Sequence, residues 1–444
     1  MKAERGGGMG SVATYEDAER YLGSLELFGM RFGLKRMHLL MDELGSPHES
    51  FESVHVVGTN GKSSTTRMIE ALLQRHGCHV GAYLSPHLIS FAERIEVMCV
   101  PVTRERFAAA VHKVADAAEA VERGLPEDDR VTQFEVLTAA AYCELERADV
   151  DVAVVEAGLG GRHDATSVIS SRVQVLTNVG LEHTRWLGPT EQHIASEKLA
   201  VVPESGLLVS GPLGDRAAEV AKQVTSERGA RFLLKGRDFT IERPNAEKFN
   251  VTTPNARYDD IALTPLGRFQ RTNFTISVAA AEAFLGRALD HEAVLDAARE
   301  LRLPSRLEIA SREPLVILDG AHNTAGVTAL RTALEPMLHG QQLTMVISIL
   351  DDKDAAGMLA VMMPLCQTIV LTRSSHERAL PAEALGRLCR EVGDSDCHVE
   401  PDPVEALRYA REIVGSTGAV LVTGSIYLLA DLVREGIGTA GDPG

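Results

Sequence analysis

The sequence predicts an α/β protein with a large N-terminal domain, built on a mostly parallel sheet, and a smaller C-terminal α/β domain. Three observations support this prediction. Short apolar runs alternate with amphipathic stretches along the 444 residues, which is the pattern of strands and helices in α/β proteins. A glycine-containing segment at residues 58–61 joins one such run to an amphipathic stretch. The alternation starts again after a proline near residue 304, and the length suits two or three domains of roughly 100–200 residues each.

The composition excludes several classes of protein. Hydrophobic residues make up 45% of the chain and charged residues 24%, which is typical of a globular protein and not of a disordered chain. No stretch approaches the ~20 consecutive apolar residues that a transmembrane helix needs. The formal net charge of −17 opposes non-specific binding to nucleic acid, which requires a basic surface. We therefore expect neither a membrane nor a nucleic acid as partner.

The N-terminus and the cysteines indicate a cytoplasmic protein. Residues 1–12 are predicted to be a disordered tail, because they contain a glycine run and no apolar core of a secretory signal; either Met1 or Met9 is the start. The cysteines are scattered and form no C-x-x-C pair, which predicts reduced thiols and neither a disulfide framework nor a zinc site. They are Cys78, Cys99, Cys143, Cys366, Cys389 and Cys397.

The N-terminal domain is predicted to span residues 13–300. Residues 54–57 read as a buried strand, and residues 64–76 read as a helix in which Met68 and Leu72 share one face and Gly77 is a suitable stop. The choppier region 233–265 predicts either a small antiparallel sheet or an elaborated loop. Further strands are predicted at 82–84, 151–156, 173–177 and 207–210, and a helix at 279–288.

The C-terminal domain is predicted to span residues 301–444. Residues 301–306 read as a linker, because Pro304 disfavours a helix there. Residues 315–318 are predicted as a strand that ends at Asp319, and a helix follows from about Ala325. Further strands are predicted at 344–349, 368–372 and 419–423, separated by helical stretches. This order predicts a Rossmann-like α/β domain.

The segment between the first predicted strand and the first predicted helix has the composition of a phosphate-binding loop. Its glycines let backbone N–H groups close around phosphate oxygens, and the helix N-terminus adds a positive dipole end. Lys62 can reach the β- and γ-phosphates, and a following serine can ligate Mg²⁺. The N-terminal domain is therefore predicted to be a P-loop ATPase-type domain. The nucleotide-binding candidates in this loop are Gly58, Thr59, Asn60, Gly61, Lys62, Ser63 and Ser64.

The G-T-N-G-K motif is the signature of the Mur ligase superfamily, and the chain resembles the folylpolyglutamate synthase and dihydrofolate synthase family along nearly its whole length. Any one matching block is weak, but their order and spacing together are specific. The blocks are Gly58 to Thr65, Leu84 to Leu88, Glu93 to Ile95, Thr132 with Phe134 and Glu135, Glu156 to Thr166, Asn178 to His183, Ile194 to Lys198, Gln270 with Asn273, Leu318 to Asn323, Asp352 to Asp354 and Thr423 to Tyr427. Two departures matter: Ser63 replaces a usual glycine, and His163 replaces a usually apolar residue near the pterin site.

The resemblance implies a function in folate biosynthesis and one-carbon metabolism. It implies an ATP-dependent acid–amino-acid ligase that adds L-glutamate to dihydropteroate, to reduced folates, or to both, through an acyl phosphate. The alternatives are a folylpolyglutamate synthase only, another Mur-type amide ligase with a different carboxylate substrate, or a nucleotide-binding regulatory protein without ligase activity. The implied cofactors are ATP and one or two Mg²⁺ ions. The family leans towards cytoplasmic monomers with small-molecule substrates.

The resemblance also implies a metal site. It assigns Ser64, Glu135 and His183 as ligands, together with Lys198 if that lysine is carbamylated. Carboxylate and hydroxyl oxygens are ligands that Mg²⁺ prefers, whereas an imidazole is unusual. The general P-loop rule would select Ser63 as the hydroxyl ligand, so both serines remain candidates. Carbamylation needs a lysine with a neutral fraction, which burial supplies.

The remaining implied residues bind substrates or take part in catalysis. Folate or pterin binding falls on Ser85, Pro86, His87, Arg94, Asp164 and Ala165. Nucleotide binding adds Asn273, Arg306 and Asp319, and glutamate binding falls on His322 and Ser425. The implied catalytic residues are Lys62, His183, Lys198, Asp319 and His322. Because an amine must lose a proton before it attacks, His322 or Asp319 is a candidate base.

Overall fold

The computed structural model describes residues 14–26, 33–243, 245–338, 340–393 and 396–438. The predicted tail at 1–12 lies outside these ranges. The chain forms two compact units. The first contains residues up to Arg237 together with Ile276–Leu289, and the second contains Asp238–Thr275 together with the residues from Asp290 onwards. No helix in the described ranges is long and apolar enough to cross a membrane.

The first unit is an α/β domain in which helices pack on a sheet. Its strands are β1 (Glu52–Val57), β2 (Val80–Tyr83), β3 (Ile95–Val97), β4 (Val100–Pro101), β5 (Val152–Glu156), β6 (Val173–Leu176), β7 (Leu207–Ser210) and β8 (Arg231–Leu234). Its helices are α1 (Tyr15–Ser24), α2 (Lys35–Glu43), α3 (Lys62–Arg75), α4 (Arg104–Glu122), α5 (Gln133–Arg147), α6 (Thr184–Leu187), α7 (Glu191–Leu199) and α8 (Asp215–Glu227). The helix α9 (Arg268–Leu285) begins in the second unit and ends in the first.

The described strands of this sheet follow the order β4-β3-β2-β5-β1-β6-β7-β8. In the part of this order that runs β2-β5-β1-β6-β7-β8, every adjacent pair of strands is parallel. Strands β3 and β4 pair antiparallel at one edge of the sheet. Strand β1 lies between β5 and β6, in the interior of the sheet. The loop after β1 is therefore placed among the carboxyl ends of neighbouring parallel strands, where α/β proteins bind their ligands.

Two buried clusters hold helices on this sheet. Phe107 of α4 and Tyr142 of α5 belong to one cluster, which also includes residues of α1 and α2. Leu199 of α7 packs with Val57 and Leu176 in the other. A side chain of this size contributes roughly 1.5–3 kcal/mol when it is fully buried, so these clusters fix the positions of the strand ends.

The second unit contains a small sheet and a larger one. The small sheet is antiparallel and is formed by β9 (Thr240–Glu242), β10 (Phe249–Thr252) and β11 (Arg257–Ile261). The larger sheet is formed by β12 (Glu308–Arg312), β13 (Leu315–Leu318), β14 (Leu343–Ile347), β15 (Thr368–Leu371), β16 (Asp396–Val399) and β17 (Ala419–Thr423). The helices of this unit are α10 (His291–Glu300), α11 (Thr324–Leu334), α12 (Ala355–Met362), α13 (Ala382–Val392), α14 (Pro403–Val414) and α15 (Ile426–Arg434).

The larger sheet has the order β12-β13-β17-β14-β15-β16, and only the β12–β13 pair is antiparallel. This architecture confirms the predicted α/β class, with a mostly parallel sheet first and a separate α/β unit after it. Of the two readings of residues 233–265, the antiparallel sheet is confirmed. The boundary at residue 300 stays a prediction. Residues 238–275 and α10 group with the second unit, because α10 packs against β11.

The expectation of six reduced thiols is wrong for one pair. Cys389 of α13 and Cys397 of β16 form a disulfide with Cα atoms 6.8 Å apart. Cys78, Cys99, Cys143 and Cys366 are free thiols. The packing of α13 on β16 brings the two cysteines together, and a search for closely spaced C-x-x-C pairs does not detect such a contact.

Candidate active site

The predicted phosphate-binding loop joins β1 to α3. Gly58 has a φ of 153°, and a Cβ atom there would lie 1.8 Å from Oγ1 of Thr177, so the position admits only glycine. Gly61 precedes the helix with a φ of 81°, in the left-handed region. These two glycines let the backbone fold into a tight loop that ends on the N-terminus of α3, which is the arrangement that binds phosphate.

The segment after β6 clamps this loop. Asn178 accepts a hydrogen bond from the Asn60 amide at 3.0 Å, and its own Nδ2 donates to the Asn60 carbonyl at 2.9 Å. Thr177 Oγ1 donates to the same carbonyl at 2.7 Å. The amide of Gly180 donates to Thr59 Oγ1 at 3.0 Å. The loop is therefore held in shape before any nucleotide arrives, which is the preorganisation that phosphate binding requires.

Two lysines meet at one backbone carbonyl of the loop. Lys62 Nζ donates to the carbonyls of Gly58 and Thr59, each at 3.3 Å. Lys198 Nζ donates to the carbonyl of Gly58 at 2.8 Å, and its residue is only 4% exposed. Burial, with the positive charge of Lys62 as a further cause, lowers the pKa of Lys198 to about 7. A neutral amine fraction is therefore present near neutral pH.

Glu156 brings a buried carboxylate to the loop. It ends β5, is 1% exposed and accepts a hydrogen bond from Ser63 Oγ at 2.9 Å. Its second oxygen accepts the amide of Ser85 at 3.0 Å, so it joins the phosphate-binding loop to the segment after β2. This carboxylate is at the carboxyl end of a parallel strand, beside the loop lysine's helix.

Glu135, which is predicted as a metal ligand, takes part in an ion pair and a helix cap. Arg36 Nε donates to its two carboxylate oxygens at 3.0 and 3.1 Å. The same carboxylate accepts the amide of Thr132 at 2.8 Å and so caps the N-terminus of α5. Arg36 also pairs with Asp129 at 2.6 Å. Glu135 is thus engaged in an ion pair and a helix cap.

Two of the predicted folate- or pterin-binding residues, Asp164 and Ala165, line a cleft that also includes Glu135. Asp164 is buried, and its oxygens accept the amides of Leu159 at 2.7 Å and Thr166 at 3.1 Å. Burial raises the pKa of Asp164. The cleft is lined by Arg36, Phe134, Glu135, His163, Asp164, Ala165 and Trp186, among others. It offers carboxylates, apolar surface and an imidazole to a substrate.

The loop from Ser85 to Arg94 holds four of the predicted substrate residues. The Ser85–Pro86 peptide is cis. Glu93 fastens the loop by accepting the amides of three successive residues, 88 to 90, at 2.7 to 2.9 Å. Arg94 Nε donates to Nδ1 of His87 at 2.9 Å. Because that nitrogen is an acceptor, the neutral His87 ring carries its proton on Nε2.

His183 lies in the segment that clamps the phosphate-binding loop. It has a φ of 51° and directly precedes α6. Its Nε2 lies 3.7 Å from the carboxylate of Glu182, and its side chain is 33% exposed. The segment containing it begins with Asn178 and Gly180, which contact Asn60 and Thr59. His183 therefore belongs to the same edge of the sheet as the loop.

In the second unit, Arg306, Asp319 and His322 gather at the end of β13. Asp319 is buried and accepts the amides of Leu307 at 2.8 Å and Ala321 at 2.9 Å. Burial raises the pKa of Asp319, and the charge of Arg306 opposes this rise. His322 Nδ1 lies 3.0 Å from the carbonyl of Gly320 and donates to it, which leaves Nε2 of the neutral ring as an acceptor.

The other two predicted residues of the second unit are structurally engaged. Asn273 lies on α9, where its Nδ2 donates to Gln270 Oε1 at 3.0 Å. Ser425 is buried at the N-terminus of α15 and accepts the amide of Tyr427 at 3.2 Å. Ser425 follows β17, so it lies at the carboxyl edge of the larger sheet, as Asp319 does.

Comparison with known proteins identifies the family. Residues 56–281 match the family described as the Mur ligase middle domain, and residues 305–426 match the Mur ligase, glutamate ligase domain. Over 430 residues the chain is 32% identical to the dihydrofolate synthase/folylpolyglutamate synthase of Bacillus subtilis, covering 95% of this chain and 99% of that protein. The chain belongs to this family of Mur ligases. Its resemblance to folylpolyglutamate synthases and dihydrofolate synthases is thereby confirmed.

Solved structures of the folylpolyglutamate synthase family have the same fold. The Mycobacterium tuberculosis folylpolyglutamate synthase complexed with ADP superposes with a TM-score of 0.91 at 31% identity, covering 98% of this chain and all of that one. E. coli FolC in complex with DHPP and ADP superposes with a TM-score of 0.86 at 27% identity, covering 96% and 98%. The protein is accordingly an ATP-dependent ligase of the Mur type.

The phosphate-binding loop of this Mur ligase is surrounded by oxygen atoms that can coordinate Mg²⁺. This ion takes hard oxygen ligands, commonly one or two carboxylates together with nucleotide phosphates and water. The carboxylate of Glu156 and the hydroxyls of Ser63 and Ser64 are such donors. Over the ranges that the structure describes, no three His, Cys, Asp or Glu side chains gather into a metal-binding group. A shell completed by nucleotide and water fits this donor set.

Three residues at these sites were not assigned from the sequence of this Mur ligase. Glu156 and Asn178 each lie at the carboxyl end of a predicted parallel strand, and that position was the available signal. The sequence around Arg36 does not indicate its role, because its partner Glu135 is 99 residues away in the chain.

Proposed function

We propose that the protein adds L-glutamate to a pterin-containing acid, either dihydropteroate or a reduced folate, through an acyl phosphate formed from ATP. The observation that carries this proposal is the meeting of Lys62 and Lys198 at the Gly58 carbonyl, beside the buried carboxylate of Glu156. That arrangement suits a transferring phosphoryl group, whose charge is spread over several oxygens. A cytoplasmic, monomeric enzyme acting on small molecules is part of the proposal.

The chemistry explains why such a site is needed. Joining a carboxylate to an amine in water is unfavourable, so the carboxylate must first be activated. Phosphoryl transfer requires positioning and the stabilisation of developing charge more than it requires a nucleophilic side chain. In this proposal the amides of the phosphate-binding loop hold the phosphates, and Lys62 leaves its two carbonyl partners to bind their oxygens.

The proposed metal ligands are Glu156, the hydroxyl of Ser64 and His183, with Ser63 as the alternative hydroxyl. Glu156 replaces Glu135 in this role, because Glu135 is engaged by Arg36 and Thr132 whereas Glu156 contacts Ser63 of the loop. When bound, Mg²⁺ neutralises charge on the phosphates of ATP. Ser85 presents a further hydroxyl on the residue whose amide contacts Glu156.

Lys198 is the proposed carbamylation site. Its neutral amine can attack CO₂ from solution, forming an N–C bond and releasing one proton to water. The product is an anionic carbamate in place of a cation, and it adds a hard oxygen ligand for a second metal ion. The support for this step is the burial of Lys198, its hydrogen bond to Gly58 and its pKa of about 7.

The cleft that contains Asp164 is the proposed binding site for the pterin of the acid substrate. A carboxylate can accept two N–H groups from an amino-pyrimidine edge, and Glu135 and Asp164 both line the cleft. Ala165 and Phe134 add apolar surface there, and His163 is the residue expected to influence the choice of substrate. The structure of E. coli FolC in complex with DHPP and ADP supports an acid substrate of this class. Ser85, Pro86, His87 and Arg94 are proposed to contact the rest of the acid.

The second unit is proposed to contribute nucleotide and glutamate contacts. Arg306 and Asp319 are the proposed nucleotide residues there, together with Asn273. His322 and Ser425 are proposed to hold glutamate. The neutral His322 ring has its Nδ1 proton on the Gly320 carbonyl, so Nε2 is the atom suited to accept the proton of the attacking amine.

Phosphate release from ATP tests the proposed reaction. We expect glutamate-dependent release with both dihydropteroate and tetrahydrofolate, measured side by side. Release with tetrahydrofolate alone supports the second candidate, a folylpolyglutamate synthase only, and makes His163 the first residue to exchange. Glutamate-dependent release with neither acid contradicts the folate assignment. Nucleotide binding without any ligase turnover would favour a regulatory protein.

Two glutamine variants test which glutamate serves the metal. We expect Glu156→Gln to raise the Mg²⁺ concentration for half-maximal ATP turnover at least about tenfold, because it removes an anionic oxygen beside the loop. Glu135→Gln is the matched control and is expected to leave the Mg²⁺ requirement unchanged while raising the KM for the acid substrate. The reverse pattern would return the metal role to Glu135. Urea unfolding of both variants separates these effects from a loss of stability.

A further inference from the structure

A pair of carboxyl groups is buried behind the phosphate-binding loop. Glu70 of α3 is 0% exposed and Glu96 of β3 is 4% exposed. Glu70 Oε1 accepts the amide of Cys99 at 2.8 Å. The side chains of Glu70 and Glu96 lie within hydrogen-bonding reach of each other. Among the described residues, no N–H or hydroxyl group donates to Glu70 Oε2. Two carboxyl groups form a hydrogen bond only if one of them holds a proton.

The charges around the pair favour an ionised Glu96 over an ionised Glu70. Arg67 donates to Glu96 Oε1 through Nη2 at 2.6 Å and through Nε at 3.1 Å. These two charge-assisted hydrogen bonds to one oxygen stabilise an ionised Glu96. Within the part of the chain that the structure describes, no cation makes such a contact with Glu70, and its position next to an anion disfavours a second negative charge. We propose that Glu70 carries a proton in the folded protein and donates a hydrogen bond to Glu96, and that this bond positions α3 against β3.

The other titratable groups near the pair agree with this assignment. Three carboxyl groups act electrostatically on Arg67: Glu96, Glu70 and Glu156 at the end of β5. Arg75 lies further along α3, near the thiol of Cys99 in the turn after β3. Burial and the two carboxyl groups raise the pKa of that thiol, so it adds no charge near neutral pH. Burial and Glu96 likewise raise the pKa of Glu70 well above its usual range.

The pair joins two segments of the proposed active site. Helix α3 begins at Lys62, and β3 begins directly after Arg94. The hydrogen bond between Glu70 and Glu96 therefore fixes the helix of the phosphate-binding loop to the strand that follows the Ser85–Arg94 loop. Glu70 and Glu96 are positioning residues in this view, and that part of the inference rests on the proposed function. The inference that Glu70 is protonated is independent of the proposed function.

Urea unfolding of Glu70→Gln between about pH 6 and pH 9 tests the proton. The variant's amide can replace the neutral acid, because it donates to Glu96 and accepts from Cys99. Above the usual glutamate pKa of about 4.3, unfolded wild-type protein releases a proton that the folded protein keeps, so wild-type stability falls as pH rises towards the folded-state pKa. The folding constant of the variant relative to wild type should therefore rise by up to about tenfold per pH unit over that interval. A destabilisation that is equal at every pH would overturn the proposal.

Glu96→Gln distinguishes the two carboxyl groups. This change removes the ionised partner of Arg67, so we expect it to lower the urea midpoint while Glu70→Gln does not. The opposite order would place the proton on Glu96 and overturn the assignment. Infrared spectroscopy gives a direct readout in the folded state. The carbonyl band of a protonated carboxylic acid should be present in wild type at neutral pH and lost in Glu70→Gln.

The positioning role has its own readout. Glu70→Ala removes the bonds to Cys99 and Glu96, and we expect it to raise the KM for ATP, whereas Glu70→Gln should restore the wild-type value. An unchanged KM for ATP in Glu70→Ala would overturn the positioning role. Absence of wild-type turnover would contradict the proposed function instead, and the infrared and urea measurements would still decide the protonation of Glu70.

Discussion

Lys62→Ala is expected to abolish glutamate-dependent ATP turnover, with a loss of at least about 10²- to 10³-fold, while the protein stays folded. The lysine begins α3 and holds only two backbone carbonyls at 3.3 Å, so its side chain contributes little to the buried clusters. Its removal takes a cation from the place where the transferring phosphoryl group gathers negative charge. Steady-state phosphate release measures this loss.

An exposed lysine provides the matched control for this result. Lys222 lies on the exposed side of α8 and is not assigned to the site, so Lys222→Ala should keep wild-type turnover. Both variants should unfold at a urea concentration close to that of wild type. Wild-type activity in Lys62→Ala would contradict the assignment of the phosphate-binding loop. A matching loss in Lys222→Ala would show that the assay reports something other than phosphate contact.

Lys198→Ala and Lys198→Arg are expected to lose activity to a similar extent, about 100-fold. Alanine removes the amine entirely. Arginine keeps a positive charge but stays protonated at every relevant pH, so it cannot take up CO₂. If Lys198 acts only as a cation, arginine should preserve activity; if it acts as a carbamate, both changes should fail. Phosphate release with added bicarbonate separates these two roles.

The protonation of Lys198 predicts how CO₂ uptake and enzyme activity change with pH. Its pKa of about 7 means that the neutral amine predominates above that value and the cation below it. Uptake of CO₂, and the activity that depends on it, should therefore rise through neutral pH and fall in acid. Native mass spectrometry should detect the added mass of one CO₂ in wild type and in neither variant. Full activity of Lys198→Arg without added mass in wild type would refute the carbamate.

The sequence predicted local features well. The phosphate-binding loop is one continuous segment between a strand and a helix, so the residues that shape it are adjacent in the chain. Most predicted strands coincide with observed ones because buried parallel strands are short continuous apolar runs. Helix α5 was not predicted, since it is buried on most sides and lacks the polar face that gives a helical period. Strands β3 and β4 are too short to give a pattern.

Contacts distant in sequence were harder to predict. Glu135 and Glu156 are both glutamates within matching blocks, and only the fold shows that one pairs with Arg36 while the other contacts Ser63. The disulfide between Cys389 and Cys397 likewise depends on the packing of a helix against a strand. The proton proposed on Glu70 of α3 depends on a neighbour, Glu96, that lies 26 residues further along the chain in strand β3.

The antiparallel edge of the first sheet has a consequence for association between chains. An unpaired edge strand exposes a row of amides and carbonyls to which a strand of another molecule can add, and this is a common route to aggregation. Here the edge strand is β4, which consists of Val100 and Pro101 alone. Proline has no N–H to donate, and two residues offer almost no length for pairing. The sheet is thus protected at this edge against extension by a second molecule.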